Sequence, residues 1–326
     1  MIKNWRLWVG AALSVLALYL TLRTVDLAQV QVAFAHANLS WIPPAIVAFL
    51  IGLYFRAHRW SMLMGDTPIP ITWHAMLIGY MLNMTLPLRL GEVAKAWVIS
   101  QRGGVTMTRA LSSIVVDRIL DLATVLGLFA LFAFFVPMPA ELARAAWSGA
   151  AVLLVLLILA GLALWQAPRV EGWLRALLSR QNTLHAERWI QRFHDLRDAF
   201  RIVGGRGRVL RMALDTVLMW GFAILLATFV QGAFMTPSVA QAGLVIVAGN
   251  LGGAAPSAPG GLGLVQGAAK LALVGPFGVD EAQAVAFIFA QSIGQQLALI
   301  ALGFFSLARV GLSLRDAANA GRATPS

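Results

Sequence analysis

The chain has 326 residues, of which 59% are hydrophobic and only 12% are charged, and its mean hydropathy is +0.77. This composition excludes an ordinary soluble globular protein and predicts an all-α polytopic membrane protein. Cysteine is absent and the five histidines show no paired ligand spacing, so we expect no metal, no cofactor and no redox chemistry.

The formal net charge of +11 would suggest nucleic acid as the partner of a soluble protein, but here the position of the charge argues against one. Nine arginines and four acidic residues lie between Pro168 and Arg208, in a stretch flanked by apolar segments. Such an arginine-rich loop marks the cytoplasmic side of a membrane. It either fixes the topology only, or binds anionic membrane lipids through an amphipathic helix from about Glu187 to Ile202.

The first apolar run extends from about residue 7 to residue 22. It follows Lys3 and Arg6 without a small-residue cleavage site, so we interpret it as a retained signal-anchor helix that runs outward from the cytoplasm. A second helix, predicted over 41–57, returns to basic residues at the cytoplasmic side.

The next segment, 73–100, is predicted to enter the membrane and turn back. Basic residues flank it on both sides, so both of its ends face the cytoplasm. Its arms, 73–85 and 92–100, are each shorter than the roughly 20 residues that span the apolar core. Proline and glycine interrupt it from Pro87 to Gly91, which predicts a re-entrant helical hairpin with its tip there. A helix over 110–136 completes the first half.

The second half repeats this order. Its predicted elements are helices over 146–166 and 210–231, a re-entrant segment over 240–274 that breaks at Pro256 to Gly263, and a helix over 283–308. The pattern predicts six spanning helices plus two oppositely oriented re-entrant helical hairpins in an inverted repeat, which is typical of transporters. A plain helical bundle, in which one interrupted segment spans the membrane, is the alternative.

The predicted organisation has three parts. They are a first membrane half over 1–136, a second half over 137–309 that includes a cytoplasmic basic loop over 167–208, and a cytoplasmic tail over 310–326. We expect a multi-pass protein of the bacterial cell inner membrane with both termini in the cytoplasm.

Three charged residues lie inside the apolar helix over 110–136. Asp117 and Asp121 share a face because they are four residues apart, and Arg118 can reach Asp121 at i+3. A charge at this depth costs about 2.5 to 3.5 kcal/mol on insertion scales, so it should be paired or functional. We predict an ion-pair network that rearranges during transport; an internal salt bridge that only secures packing is the alternative.

The first hairpin tip suits an anionic head group. Arg89 offers a planar fork for phosphate oxygens, and Lys95 adds a second cation. The arm after Gly91 presents its helix N-terminus, where Glu92 would complement the dipole or hold Arg89. Asn83, one turn before the break, would satisfy a freed carbonyl. We predict that these four side chains bind substrate; a capped interfacial hairpin with snorkelling charges is the alternative.

The second break carries no charge. Gly260, Gly261 and Gly263 allow close backbone approach, and the helix that follows offers its N-terminus and Gln266 to the same central site, so we predict that these residues also bind substrate. They are not a dinucleotide fingerprint, because no strand precedes them. The last helix carries a polar stripe suited to helix–helix contacts, made of Gln291, Ser292, Gln295 and Gln296.

Three motifs occur in a fixed order along the chain. They are Asn83-x-x-x-Pro87-x-Arg89-x-Gly91-Glu92-x-x-Lys95, then Asp117-Arg118-x-x-Asp121, then Pro256-x-x-Pro259-Gly260-Gly261-Leu262-Gly263. Together they resemble the lysylphosphatidylglycerol synthase transmembrane-region family over roughly residues 10 to 310. The chain departs from the family at Lys95, where arginine is common, and at Gln266, where glutamate is common.

The resemblance implies a flippase-like domain, because the membrane part of fused members is thought to move aminoacylated phosphatidylglycerol between leaflets. The sequence shows no aminoacyl-transferase domain after the last helix, so we expect a stand-alone member and not a synthase. Some stand-alone members occur with hopanoid or lipid-linked sugar pathways.

We therefore expect a non-enzymatic translocase of an anionic phospholipid or another lipid-linked substrate. Two alternatives remain. One is a membrane-embedded transferase with Asp117 or Asp121 as general base. The other is a non-catalytic partner of a biosynthetic enzyme, docked through the arginine-rich loop, in lipid, hopanoid or lipid-linked glycan biosynthesis.

Overall fold

The computed structural model describes residues 16, 19, 21–23, 25–85, 90–136, 138–165, 194, 205–253 and 263–312. All regular structure within these residues is helical, as predicted. The α-helices are α1 (Leu27–Ala35), α2 (Ile42–Leu63), α3 (Ile69–Thr85), α4 (Gly91–Arg102), α5 (Met107–Ala133), α6 (Ala140–Trp165), α7 (Arg206–Gly232), α8 (Val239–Gly253), α9 (Leu264–Phe277) and α10 (Glu281–Val310).

Helix ends follow local sequence signals. The side chain of Thr106 accepts a hydrogen bond from the backbone N–H of Arg109 at the start of α5, and Asp280 caps α10 in the same way at 3.0 Å. Helix α10 ends at Gly311, whose φ of 69° is left-handed and therefore favours glycine. Short polar residues thus set where two of the longest helices begin, and glycine sets where one of them ends.

Each interrupted segment forms a helical hairpin whose arms meet at glycine. A Cβ added at Gly79 of α3 would lie 2.8 Å from the carbonyl oxygen of Gly91 and 2.8 Å from the Cβ of Lys95, both on α4. In the second hairpin, a Cβ at Gly252 of α8 would lie 2.7 Å from the carbonyl oxygen of Leu264. Small residues therefore let the paired arms pack backbone against backbone.

The two halves share one packing scheme. Helix α3 packs on α10 as α8 packs on α5, and α4 packs on α5 as α9 packs on α10. Helix α2 packs on α3 as α7 packs on α8, while α2 and α7 pack extensively on each other. Exchanging the halves leaves this set of contacts unchanged, which is the pattern expected of an internal structural repeat.

Four described stretches are long and apolar enough to span a membrane. They are Leu39–Leu63, Ala140–Leu159, Gly207–Gly232 and Glu281–Val310. Helix α5 is 27 residues long, about 40 Å, but it carries the three charged residues singled out above. The helix predicted over 7–22 and the loop over 167–208 lie largely outside the described residues, so the count of six spans and the re-entry of both hairpins stay predictions.

The close contact at Gly79 predicts a packing defect. Gly79→Ala places a methyl group against the backbone of α4, and overpacking of this kind costs about 1–3 kcal/mol. We expect thermal unfolding in detergent, followed by tryptophan fluorescence, to begin several degrees lower. Gly127→Ala in α5 is the matched control, because nothing lies within 4 Å of its added Cβ, and it should leave the melting temperature unchanged or raised. Equal melting temperatures for the two variants would contradict the glycine contact.

Candidate functional site

Two arginines of α2 meet the two carboxylates of α5. The side chain of Arg59 is fully buried, and its Nη2 lies 2.7 Å from Asp117 Oδ1 and 2.6 Å from Asp121 Oδ1. Arg56, one turn earlier, places its Nη1 3.1 Å from Asp121 Oδ2. Both oxygens of Asp121 are therefore held by α2, which fixes α2 against α5.

The same carboxylates connect to the first hairpin. Arg118 places Nη1 3.3 Å from Asp121 Oδ2, the predicted i+3 pair, and Nη2 3.1 Å from Glu92 Oε1 on α4. Glu92 Oε2 lies 2.6 Å from the Nζ of Lys95. One continuous network thus joins α2, α5 and α4.

This network contains four cationic groups and three carboxylates, so one positive charge is in excess. Its members are Arg56, Arg59, Lys95, Arg118, Glu92, Asp117 and Asp121. Buried charges are costly to hold, and removing one partner leaves another uncompensated. An excess positive charge favours the approach of an anion over that of a cation.

Lys95 is the member of the network that pairs with Glu92 from the protein interior. Its side chain is only 3% exposed, and its Nζ sits 4.9 Å from the centre of the Trp60 ring and 6.0 Å from that of Tyr80. The indole N–H of Trp60 donates to Ser113 Oγ at 3.0 Å. Lys95 therefore positions Glu92 from the protein interior.

A cavity of about 480 Å³ opens beside the network. Its walls include Arg56, Glu92, Arg118 and Asp121, together with Asn83 from the first hairpin. The second hairpin contributes Asn250, Leu251, Gly253 and Val265 to the same walls. The cavity thus lies between the two hairpins, with charge on one side.

A second cavity of about 330 Å³ joins the first. The two share Arg56, Tyr80, Met84 and Asn250 in their walls. The rest of the second cavity is mostly apolar and is lined by α2, α7 and α10, including Phe49, Phe222 and Leu226, with Gln295 as a polar exception. A charged space and an apolar space therefore meet at one arginine, and each volume lies within the range of small-molecule sites.

The predicted substrate-binding residues separate into three groups. Asn83 and Glu92, and from the predicted ion-pair network Arg118 and Asp121, line the 480 Å³ cavity. Lys95, Asp117 and Gln266 are buried and do not line that cavity, and Gly263 lies on a different cavity wall. Arg89, Gly260 and Gly261 lie outside the described residues.

Asn83 and Gln266 each contact a backbone N–H group at one of the breaks. The Oδ1 of Asn83 accepts from the N–H of Gly91 at 2.9 Å, because α4 begins directly beside it. Gln266 also serves a helix start, since its Oε1 accepts from the N–H of Gly263 at 2.7 Å. Both side chains therefore satisfy backbone groups at the two breaks.

Arg56, Arg59 and Tyr80 are the site residues that sequence reasoning missed. The sequence suggested that α2 ends near residue 57 with its arginines at the cytoplasmic surface, but the helix continues through Leu63. It does so because the carboxylates of α5 pair with the arginines inside the protein. The available signal was the i, i+3 spacing of two arginines beside an apolar run, together with two buried aspartates in need of cations.

Comparisons with known proteins identify a family of membrane proteins. The family model described as "Lysylphosphatidylglycerol synthase TM region" matches residues 7–303. A "UPF0104 membrane protein" of Methanothermobacter thermautotrophicus is 24% identical over 276 residues, which cover 78% of this chain and 81% of that protein. "Glycosyltransferase AglD" of Haloferax volcanii is 25% identical over 123 residues, which cover 36% of this chain and 20% of that protein. No solved structure matches the chain.

The fully buried position of Arg59 predicts a large loss of stability on its removal. Arg59→Met leaves Asp117 without its ion-pair partner, and breaking one side of a buried pair costs about 3–5 kcal/mol. Arg144→Met is the control, because Arg144 forms an exposed pair with Glu141 at 3.4 Å and such pairs contribute about 0–1 kcal/mol. Adding Asp117→Asn to Arg59→Met should recover part of the lost melting temperature. Equal melting temperatures for the Arg59 and Arg144 variants would show that the buried ion pair does not stabilise the fold.

Proposed function

This chain belongs to the lysylphosphatidylglycerol synthase transmembrane-region family, and we propose that it moves an amphiphile with an anionic or lipid-linked head group between the leaflets of a bacterial inner membrane. The joined cavities are the observation that carries this proposal, because one is charged, the other is apolar, and Arg56 lies in the walls of both. An amphiphile is divided in the same way, since its head group needs charged partners and its chain needs apolar surface.

The contacts of Asp121 support a mechanism in which a bound anion replaces this carboxylate as the partner of the arginines. Arg56 and Arg118 both approach the same oxygen, Asp121 Oδ2, from the cavity wall. Guanidinium groups bind phosphate oxygens in a fork geometry, so a phosphate in the cavity could take one donor from each arginine. When the phosphate leaves, Asp121 and Glu92 can form their ion pairs with the arginines again. The one excess positive charge of the network would neutralise the negative charge of one bound anion.

We propose further roles for residues around this centre. Arg89, which precedes α4 in the chain, adds a guanidinium to the bound head group, and Lys95 holds Glu92 in place from behind. The arginine-rich loop over 167–208 binds anionic lipids at the cytoplasmic surface. The equal packing schemes of the two halves favour an inverted repeat with six spans and two re-entrant hairpins.

A second candidate function is a membrane-embedded transferase, or a partner of one, in lipid-linked glycan biosynthesis. The partial similarity to a protein named as a glycosyltransferase favours it. A general base needs an oxygen that can reach a substrate proton. In this structure Asp117 Oδ1 and both oxygens of Asp121 contact arginine, which favours charge balance as their role.

The inverted repeat predicts a labelling pattern, and the absence of native cysteine makes it simple to measure. Single cysteines at Pro68 and Arg102, exposed at the two ends of the first hairpin, should react with an impermeant maleimide only from the cytoplasmic side. Cysteines at Thr236 and Gln283, exposed at the ends of the second hairpin, should react only from the outside. A plain bundle would place the two ends of one of these segments on opposite sides.

The charged cavity predicts that Arg118 is needed for transport. Purified protein in phosphatidylcholine vesicles should move a fluorescent anionic phospholipid between leaflets, measured by quenching of the outer leaflet with dithionite. Arg118→Gln should slow this movement at least tenfold, because it removes charge-assisted hydrogen bonds worth about 1.5–3 kcal/mol.

Arg144→Gln is the matched control, since Arg144 also pairs with an acid three residues away but lies on the surface. It should transport at the wild-type rate. Equal rates for the Arg118 and Arg144 variants would remove the head-group site from this cavity. Chemical turnover of a lipid-linked sugar donor in the same vesicles, without movement of the lipid, would favour the transferase.

A further inference from the structure

The second half of the chain contains an uncharged counterpart of the ion-pair network. Glu92 in the first turn of α4 contacts Arg118 on α5 at 3.1 Å, and Gln266 in the first turn of α9 contacts Ser292 on α10, also at 3.1 Å. The same number of residues separates Glu92 from Gln266 as separates Arg118 from Ser292. Equal spacing and equal contacts make these two pairs structural equivalents.

The correspondence extends along the two long helices. The same separation takes Asp117 to Gln291 and Asp121 to Gln295. Four charged positions of the first half, Glu92, Asp117, Arg118 and Asp121, therefore correspond to neutral hydrogen-bonding residues in the second, while Lys95 corresponds to Ala269. We call the second set the amide row, and it consists of Gln266, Gln291, Ser292 and Gln295.

The amide row has unused hydrogen-bonding capacity. Gln291 is more than nine-tenths buried, and its Oε1 has no hydrogen-bond partner among the described residues. Buried polar groups in folded proteins are almost always paired, so an unpaired carbonyl oxygen in a polar row calls for a donor. One turn later on α10, Gln295 lies in the wall of the 330 Å³ cavity.

Other neutral polar groups face the same two spaces. Asn250 and Tyr80 line both cavities, and Asn83 lines the larger one. A carboxamide both donates and accepts hydrogen bonds, as a hydroxyl group does, so the two groups bind one another well. Four charged groups of the network line the 480 Å³ cavity beside them, and the network as a whole has one positive charge in excess. A ligand that satisfies both sets needs one anionic group and several hydroxyls.

We propose, resting on the proposed function above, that the transported amphiphile carries a sugar-type polyhydroxyl head group on a single phosphate, and that Gln295 is a specificity-determining residue for its hydroxyls. The phosphate binds Arg56 and Arg118, while the hydroxyls bind Gln295 of the amide row and Asn250. A site built for hydroxyls discriminates against an analogue that lacks them, because its polar groups are then left unpaired.

Two probes of equal charge test this proposal. Fluorescent phosphatidylinositol carries a polyhydroxyl ring on its phosphate, and fluorescent phosphatidylmethanol carries a methyl group in its place. Wild-type protein in phosphatidylcholine vesicles should move phosphatidylinositol about tenfold faster, as two additional hydrogen bonds would give. Gln295→Leu should reduce this preference severalfold, and an unchanged melting temperature in detergent shows that the variant is folded.

Gln283→Leu is the matched control, because it makes the same substitution at an exposed position of the same helix, and it should keep the full preference. Equal rates for both probes with wild-type protein would overturn the sugar-type substrate and leave the anion translocase intact. A preference that survives Gln295→Leu would overturn the role of Gln295 and with it that of the amide row. If neither probe moves, the proposed translocation itself fails, and this inference fails with it.

Discussion

The burial of Arg59 is the constraint on which the rest of the site depends. A fully buried guanidinium persists only when carboxylates compensate it, and both Asp117 and Asp121 do so. This pairing fixes how α2 and α5 are turned toward each other. It also determines that Arg56 and Arg118, the neighbours of these residues in sequence, lie in the cavity wall.

A third helix reinforces this arrangement. On α7, Thr216 accepts a hydrogen bond from Arg59 Nη1 at 3.2 Å, and Asp215 lies 2.6 Å from the imidazole of His58. Helices α2 and α7 are equivalent elements of the two halves and pack on each other. The network therefore lies at the junction of the halves, where a relative movement of the two would alter its contacts.

The sequence predicts those features that depend on local chemistry. Apolar runs predict the helices, and proline together with glycine predicts where the two hairpins are interrupted, because these signals lie within a few neighbouring residues. The Arg118–Asp121 pair was predictable for the same reason, since i, i+3 residues are neighbours on any helix. The partners of Arg56 and Arg59 were not, because they come from a helix some 60 residues away, and basic residues at the end of an apolar run look like surface anchors.

The two halves have one packing scheme but unequal chemistry, and under the proposed function this difference would give them unequal affinity for a head group. Hydrogen bonds to charged groups contribute about 1.5–3 kcal/mol each, while neutral ones contribute about 0.5–1.5 kcal/mol. A transport path needs binding that is strong enough to capture the ligand and weak enough to release it. Two charged halves would hold an anion tightly in both positions. In this chain Glu92 and Arg118 form a charged pair, while their equivalents Gln266 and Ser292 form a neutral one, so under the proposed function the first half would hold an anion more strongly than the second.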